Sequence, residues 1–299
     1  MRSTGNERFK RVGEQALPRT IGEALAYARA LCATRGEVLT PNTAQALLAY
    51  VTGRGRAWLL AHPEEVLAPQ DAERFAILLK RAAEGEPLAY LVGEREFYGF
   101  PFSVTPDVLV PRPETEALVD VALEWISARG LAAPRVVDVG TGSGAIAVTL
   151  ALKLPAAQII AVDISWEALL IAQINAVRHS VAERLALVLG DLLEALIGPF
   201  DVILANLPYV SQAELEALEV GRWEPRIALN GGADGLHLVR RLIDQAPKRL
   251  VRGGLLALEI GAEQGPPVIA LCRAVFPQAE IAILPDLAGH DRIVRVITR

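Results

Sequence analysis

Cysteine is scarce in this 299-residue chain: there are two, Cys32 and Cys272, set in the apolar stretches ARALCATRG and VIALCRAVF. A disulfide framework is thereby excluded, and buried free thiols in a reducing compartment are expected. Histidine is equally sparse. His62, His179, His237 and His290 share no ligand spacing, so no metal site is expected. Long hydrophobic runs are missing too. The longest are about eight to ten residues, too short to cross a bilayer. The opening stretch MRSTGNERFKRVGEQALPR lacks the apolar core of a signal peptide. Residues 1–18 are expected to form a flexible lead-in, and the chain is expected to be cytoplasmic, with no membrane partner. No basic stripe with interleaved aromatics occurs, so direct nucleic-acid binding is not expected. Residues 1–90 carry 12 Lys+Arg against 10 Asp+Glu, and the rest carry 18 against 25. That difference is too small to define a partner.

What is present is a well-buried globular composition, 52% hydrophobic and 22% charged. The length favours two domains. Residues 19–85 read as a small helical domain. Thr20 caps a helix with Ile21, Leu25, Ala28 and Leu31 on its apolar positions. Thr40 followed by Pro41 starts a second, and Pro69 a third, with Phe75, Leu78, Leu79 and Ala82 on one face and Gly85 at its end. Residues 86–112 read as a linker. Within it EREFYGFPFSV alternates aromatic and polar residues around Gly99 and Pro101, as a β-hairpin does. Pro111 and Pro113 stiffen the approach to a helix that starts near Glu114.

Residues 113–299 alternate strand and helix. Strands are expected at 135–139, 158–162, 185–189, 201–205, 253–260, 279–284 and 292–298. This pattern builds an open, doubly wound α/β sheet, whose ligands bind beyond the C-terminal ends of the strands. The first strand runs into VVDVGTGSGAIAV. Gly140, Gly142 and Gly144 let backbone approach a ligand at a helix N-terminus. Asp163 ends the second strand, where a carboxylate accepts from ribose hydroxyls. Asp191 follows the third, placed for an adenine. Asp138, two residues before the first glycine, favours a ligand with an amino group over one with a phosphate. S-adenosylmethionine has an ammonium, a sulfonium, a ribose and an adenine, and no phosphate.

The fourth strand ends in DVILANLPYV. Asn206 offers one acceptor and two donor hydrogens at the mouth of a hydrophobic strand. Leu207, Pro208 and Tyr209 form a rigid turn that ends in an aromatic ring.

Together, DVGTGSG, AVDIS, GDLL and NLPYV resemble class I S-adenosylmethionine-dependent methyltransferases of the N-P-P-Y type. PLAYLVGEREFYG, VPRPETE, WEPRIALNGGADGL, LALEIGAEQG and DLAGHDRIV narrow the likeness to release factor glutamine methyltransferases. The resemblance implies a Rossmann-like sheet of seven mostly parallel strands with helices on both faces. It implies methylation of the side-chain amide N5 of the glutamine in the Gly-Gly-Gln motif of peptide chain release factors, with S-adenosylmethionine as cofactor and S-adenosylhomocysteine as product. Carried over, Gly140, Thr141, Gly142, Ser143 and Gly144 would hold the methionine moiety and Asp163 the ribose. Asp191 and Leu192 would border the adenine, and Asn206 to Tyr209 would hold the glutamine: the Asn206 side-chain oxygen and the Leu207 carbonyl would take both amide hydrogens in one plane, Pro208 would fix the turn, and Tyr209 would cover the amide. Leu207 departs from the usual proline but keeps the carbonyl. A monomer is the default expectation. Glutamine methylation of a ribosomal protein and adenine-N6 methylation of nucleic acid stay open as alternatives. Arg112, Glu114 and Glu116 could form an ion-paired lid or a capped helix start. Glu259 ends a buried strand at the same rim, where it could steady the loops or serve as a structural carboxylate. Trp223, Glu224 and Pro225 could line the substrate entrance.

Overall fold

The computed structural model describes residues 17–217, 222–286 and 288–299. Residues 1–16 of the expected lead-in lie outside the described residues. The chain divides into two compact units between Val92 and Gly93. The first is helical: α1 (Ile21–Arg35), α2 (Pro41–Thr52), α3 (Arg56–Ala61), α4 (Pro69–Ala83) and α5 (Leu88–Val92). The Thr20 hydroxyl accepts from the Glu23 N–H and that of Thr40 from the Thr43 N–H, so both expected caps form. Ile21, Leu25, Leu47, Leu48, Phe75 and Leu79 meet in one core. The short helices α3 and α5 were not expected. Each spans six residues or fewer, too few to show a periodicity.

The second unit opens with the expected hairpin, β1 (Glu94–Phe97) and β2 (Phe100–Ser103). A 3₁₀ turn, Pro113–Thr115, leads into α6 (Glu116–Arg129). The alternating region follows as β3 (Arg135–Val139), α7 (Ala145–Lys153), β4 (Gln158–Asp163), α8 (Trp166–Arg178), β5 (Leu185–Leu189) and β6 (Phe200–Ala205). It continues through α9 (Gln212–Ala217), α10 (His237–Gln245), β7 (Leu250–Glu259), α11 (Gly265–Val275), β8 (Glu280–Pro285) and β9 (Asp291–Ile297). All seven expected strands are there, with ends shifted by up to three residues.

The sheet order is β5-β4-β3-β6-β7-β9-β8, and β9 alone of the seven runs antiparallel. Alternate residues of the strands serve two cores. Val136, Ile159 and Val202 pack with α6, α7 and α8, while Val137, Val139 and Ile203 pack with α10 and α11. Both faces are therefore covered. From β3 the chain steps outward through β4 and β5, then returns to β6 on the other side. This reversal opens a crevice beyond the ends of β3 and β6, where ligands bind in such sheets.

Candidate active site

Val139 and Ala205 are register partners at the ends of β3 and β6. Gly140 and Asn206 therefore leave the sheet side by side. Gly140 has φ +73°, a conformation that glycine adopts without the cost a side chain would incur. A Cβ there would also lie 3.0 Å from Leu207 Cδ2. The glycine loop and the NLPY loop thus sit against each other as one surface. A cleft of about 460 Å³ opens over them, in the size range of small-molecule sites.

The glycine loop is held from both sides. The N–H groups of Gly140 and Thr141 both donate to the Val162 carbonyl. The Gly142 N–H donates to Asp163 Oδ2 at 2.8 Å, and the Ser165 N–H to Oδ1 at 2.9 Å. Each Asp163 oxygen thus keeps further lone-pair capacity toward the cleft. Burial raises the Asp163 pKa, and those backbone N–H groups oppose the rise. Asp138 does not line the cleft. It is fully buried, and its Oδ2 accepts from the Thr141 hydroxyl at 2.6 Å. Its Oδ1 has no hydrogen-bond partner among the described residues. Burial pushes the carboxyl up to about 7, against the hydrogen bonds from Thr141 and from the Ala147 N–H. Its link to the cleft runs through Thr141, which lines it.

Thr141, Gly142, Ser143, Asp163, Asp191 and Leu192 all line the cleft, as do Gly140, Asn206, Leu207 and Pro208. Gly144 and Tyr209 are not among the lining residues. Gly144 is the N-cap of α7, where a Cβ would stand 3.1 Å from Ala172, so it sets the approach of α7 to α8. Leu192 has φ +52°, which costs a non-glycine residue roughly 1–3 kcal/mol; its side chain is nevertheless buried at the cleft wall. Asp191 accepts from Arg241 Nη2 at 2.8 Å, and Arg241 also reaches Glu194.

On the NLPY side, Asn206 Nδ2 donates to Thr115 Oγ1 at 3.0 Å. Neither Asn206 Oδ1 nor the Leu207 carbonyl accepts a hydrogen bond from the described residues. The Pro208 carbonyl likewise accepts none, whereas those of Tyr209 and Val210 are committed. Tyr209 O accepts from Gln264 Nε2 at 2.9 Å, and Val210 O from the Gly231 N–H at 2.8 Å. Leu207 is buried among Val139, Leu192 and Leu236, so its side chain anchors the loop from below. Burial raises the Tyr209 phenol; Glu259 and Glu114 add to the rise, and Arg292 and Arg112 oppose it.

The cleft fits S-adenosylmethionine on three counts. A Cβ at Gly142 would meet open space, which leaves room for a ligand against bare backbone. The carboxylates of Asp163 and Asp191 stand at successive strand ends, and Asp138, with one oxygen unpartnered among the described residues, lies beneath the loop.

Residues 23–93 match the family model of the PrmC N-terminal domain, and residues 116–209 that of ribosomal protein L11 methyltransferase (PrmA). The release factor glutamine methyltransferase of Moorella thermoacetica is 44% identical over 275 residues, covering 91% of this chain and 96% of that protein. That of Bordetella pertussis is 44% identical over 253 residues, 84% of this chain and 92% of that protein. The chain belongs to the release factor glutamine methyltransferase family. Its fold is that of class I methyltransferases. The hMettl16 catalytic domain, solved in complex with the MAT2A 3′UTR hairpin 6, has a TM-score of 0.55 at 18% identity, over 76% of this chain and 82% of that one. The chain is thus an S-adenosylmethionine-dependent methyltransferase.

Against this family background, three groupings differ from the sequence expectation. Arg112 does not pair with Glu114 or Glu116. It pairs with the buried Glu224 at 2.5 Å, whose other oxygen accepts from the Val110 N–H. Glu116 instead accepts from the Tyr98 N–H at 2.8 Å. Glu224 therefore holds the approach to α6 through Val110 and Arg112, and Trp223, Glu224 and Pro225 do not line the cleft, while Arg226, Ile227 and Ala228 do. Asn175 was missed altogether. Fully buried, it bonds Ser103 through both backbone groups and donates to the Ser143 carbonyl at 2.9 Å, tying the glycine loop to β2. A buried Asn in an otherwise apolar helix, LLIAQINAV, was the available signal. Arg241 gave none, because arginine on an amphipathic helix face reads as solvated.

No helix among the described residues is long and apolar enough to cross a membrane.

Proposed function

We propose that this methyltransferase transfers a methyl group to the side-chain amide N5 of the glutamine in the Gly-Gly-Gln motif of peptide chain release factors. The observation that carries this reading is the pair of uncommitted acceptors, Asn206 Oδ1 and the Leu207 carbonyl, next to the glycine loop. A carboxamide presents two hydrogens in one plane, and these two oxygens match them. Bound in the cleft, S-adenosylmethionine supplies an electrophilic methyl on a sulfonium. The glycine loop and Ser143 would hold its methionine end, Asp163 its ribose, and Asp191 and Leu192 would border its adenine.

The protein's part is positioning. Asn206 and Leu207 orient the nitrogen lone pair, and both bonds strengthen as positive charge develops on that nitrogen. Holding the reactants in line is worth roughly 7–11 kcal/mol, so no strong base is needed to start transfer. A neutral Asn suits the site better than Asp. A carboxylate there would be costly to bury and would compete for the methyl group. Tyr209 does not line the cleft; its carbonyl, held by Gln264, steadies the turn. The helical unit, within residues 19–85, supplies contact area that one glutamine side chain lacks, and so recognises the protein substrate.

The test is Asn206→Ala. Transfer to a release factor falls by more than about 100-fold while S-adenosylmethionine affinity stays within a few-fold. Unchanged turnover removes the reading. Label on a ribosomal protein or on adenine, and none on a release factor, reassigns the acceptor.

A further inference from the structure

The site contains two side chains that the reaction as described does not use. Thr115 is buried in the 3₁₀ turn before α6, and Glu259 is the last residue of β7. Ala205 and Leu258 are register partners, so Asn206 and Glu259 leave the sheet as neighbours. Glu259 is 2% exposed, and its Oε2 has no partner at hydrogen-bond distance among the described residues. Yet the Thr115 hydroxyl and the Asn206 amide both stand near enough to favour its ionised form. Nothing in the transfer step requires a buried carboxylate there, and burying one is expensive.

We propose that Thr115 and Glu259 are positioning residues that fix the orientation of the Asn206 amide, so that its oxygen faces the substrate and its nitrogen faces the protein. The inference rests on the reading of Asn206 Oδ1 as an acceptor for the substrate carboxamide. The two ends of an Asn amide have almost the same shape and opposite polarity. Turned the wrong way, Asn206 would present donors to a substrate that also presents donors. An ionised Glu259 only accepts hydrogen bonds. A Thr115 hydroxyl that donates to this unpartnered carboxylate can only accept from Asn206, and that holds Nδ2 inward. The observed bond runs from Asn206 Nδ2 to Thr115 Oγ1; in the proposed arrangement the Thr115 hydroxyl in turn donates to Glu259, whose buried Oε2 is otherwise unpartnered among the described residues.

The relay requires Glu259 charged. Burial pushes its carboxyl up to about 7; Thr115, Arg292 and Asn206 pull it down, and Glu114 pushes it up. Arg292 is itself held by Asp286, and the Tyr209 phenol also lies within the field of Glu259. Below that range Glu259 is neutral, the Thr115 hydroxyl is free to donate, and the orientation of Asn206 is no longer enforced.

The experiment compares the wild-type chain with Thr115→Val, Thr115→Ser and Glu259→Gln, using S-adenosylmethionine and an intact release factor as probes. Thr115→Val removes the oxygen and keeps the shape. Its kcat falls at least about tenfold, while S-adenosylmethionine affinity and KM for the release factor stay within about threefold. Thr115→Ser restores kcat to within about threefold of wild type. The ratio of wild-type to Glu259→Gln kcat rises with pH through about 7. Wild-type kcat in Thr115→Val, a Thr115→Ser variant as slow as the valine variant, or a ratio independent of pH each overturns the relay. Absence of methyl transfer by the wild type itself overturns the release-factor reading instead, and the relay with it.

Discussion

Asn206 and Thr115 lie 91 positions apart in sequence, and their side chains meet at 3.0 Å. The bond commits the nitrogen of Asn206 and leaves its oxygen for the cleft. Asn206→Asp tests this directly. It replaces the donor by a second acceptor and places negative charge beside Glu259. Expected is a loss of kcat of more than about 100-fold with S-adenosylmethionine affinity within about threefold, read by single-turnover transfer and calorimetry. An active Asp variant would show that the amide nitrogen is not needed.

Asp163 accepts one backbone N–H on each oxygen. In Asp163→Asn one of those N–H groups faces a donor, and the charge is lost. Hydrogen bonds to charged groups are worth roughly 1.5–3 kcal/mol, so affinity for S-adenosylmethionine falls at least about tenfold. Titration calorimetry reads the change. An unchanged Kd would remove Asp163 from cofactor binding.

Asp138 makes stability depend on pH with a defined sign. Its carboxyl is pushed up to about 7 from the ordinary 3.8 of a free Asp, so between these values the unfolded chain is ionised and the folded chain is not. The folded state binds the extra proton. Stability therefore declines as pH rises from about 4 to about 7, then levels; the full cost is on the order of 4 kcal/mol. Asp138→Asn keeps an acceptor for Thr141 and removes the titration. Its gain over wild type, from urea midpoints, grows across that window and is constant above it. A pH-independent difference contradicts the assignment.

Much of this was legible in the sequence because it rests on local patterns. Apolar runs marked the strands, Thr20 and Thr40 marked the helix starts, and Gly140 with Asp163 marked the crevice. NLPY could be read as two acceptors only through the family resemblance, because an Asn and a carbonyl at a strand end do not by themselves name a carboxamide substrate. What escaped depends on contacts far apart in sequence. Arg112 chose Glu224, 112 positions away, over its neighbours Glu114 and Glu116. Asn175 meets Ser103 from 72 positions away. Glu259 was left between two roles because its position beside Thr115 appears once α6, β6 and β7 are assembled.

Asn175 yields a prediction of its own. Asn175→Ala leaves the Ser103 N–H and the Ser143 carbonyl without their partner in a buried place. Expected is a loss of about 2–3 kcal/mol in unfolding free energy, with weaker S-adenosylmethionine binding because the glycine loop loses its tie to β2. Chemical denaturation and calorimetry measure the two effects. A stable variant with weakened binding would separate the two roles.

The most direct measurement is methyl transfer from labelled S-adenosylmethionine to a purified release factor, beside the same factor with its loop glutamine changed to glutamate. Label on the first, located by mass spectrometry to that glutamine, and none on the second is the predicted result. Equal labelling of both, or label elsewhere in the factor, would contradict the assignment of Asn206 and Leu207 as the clamp for a glutamine amide.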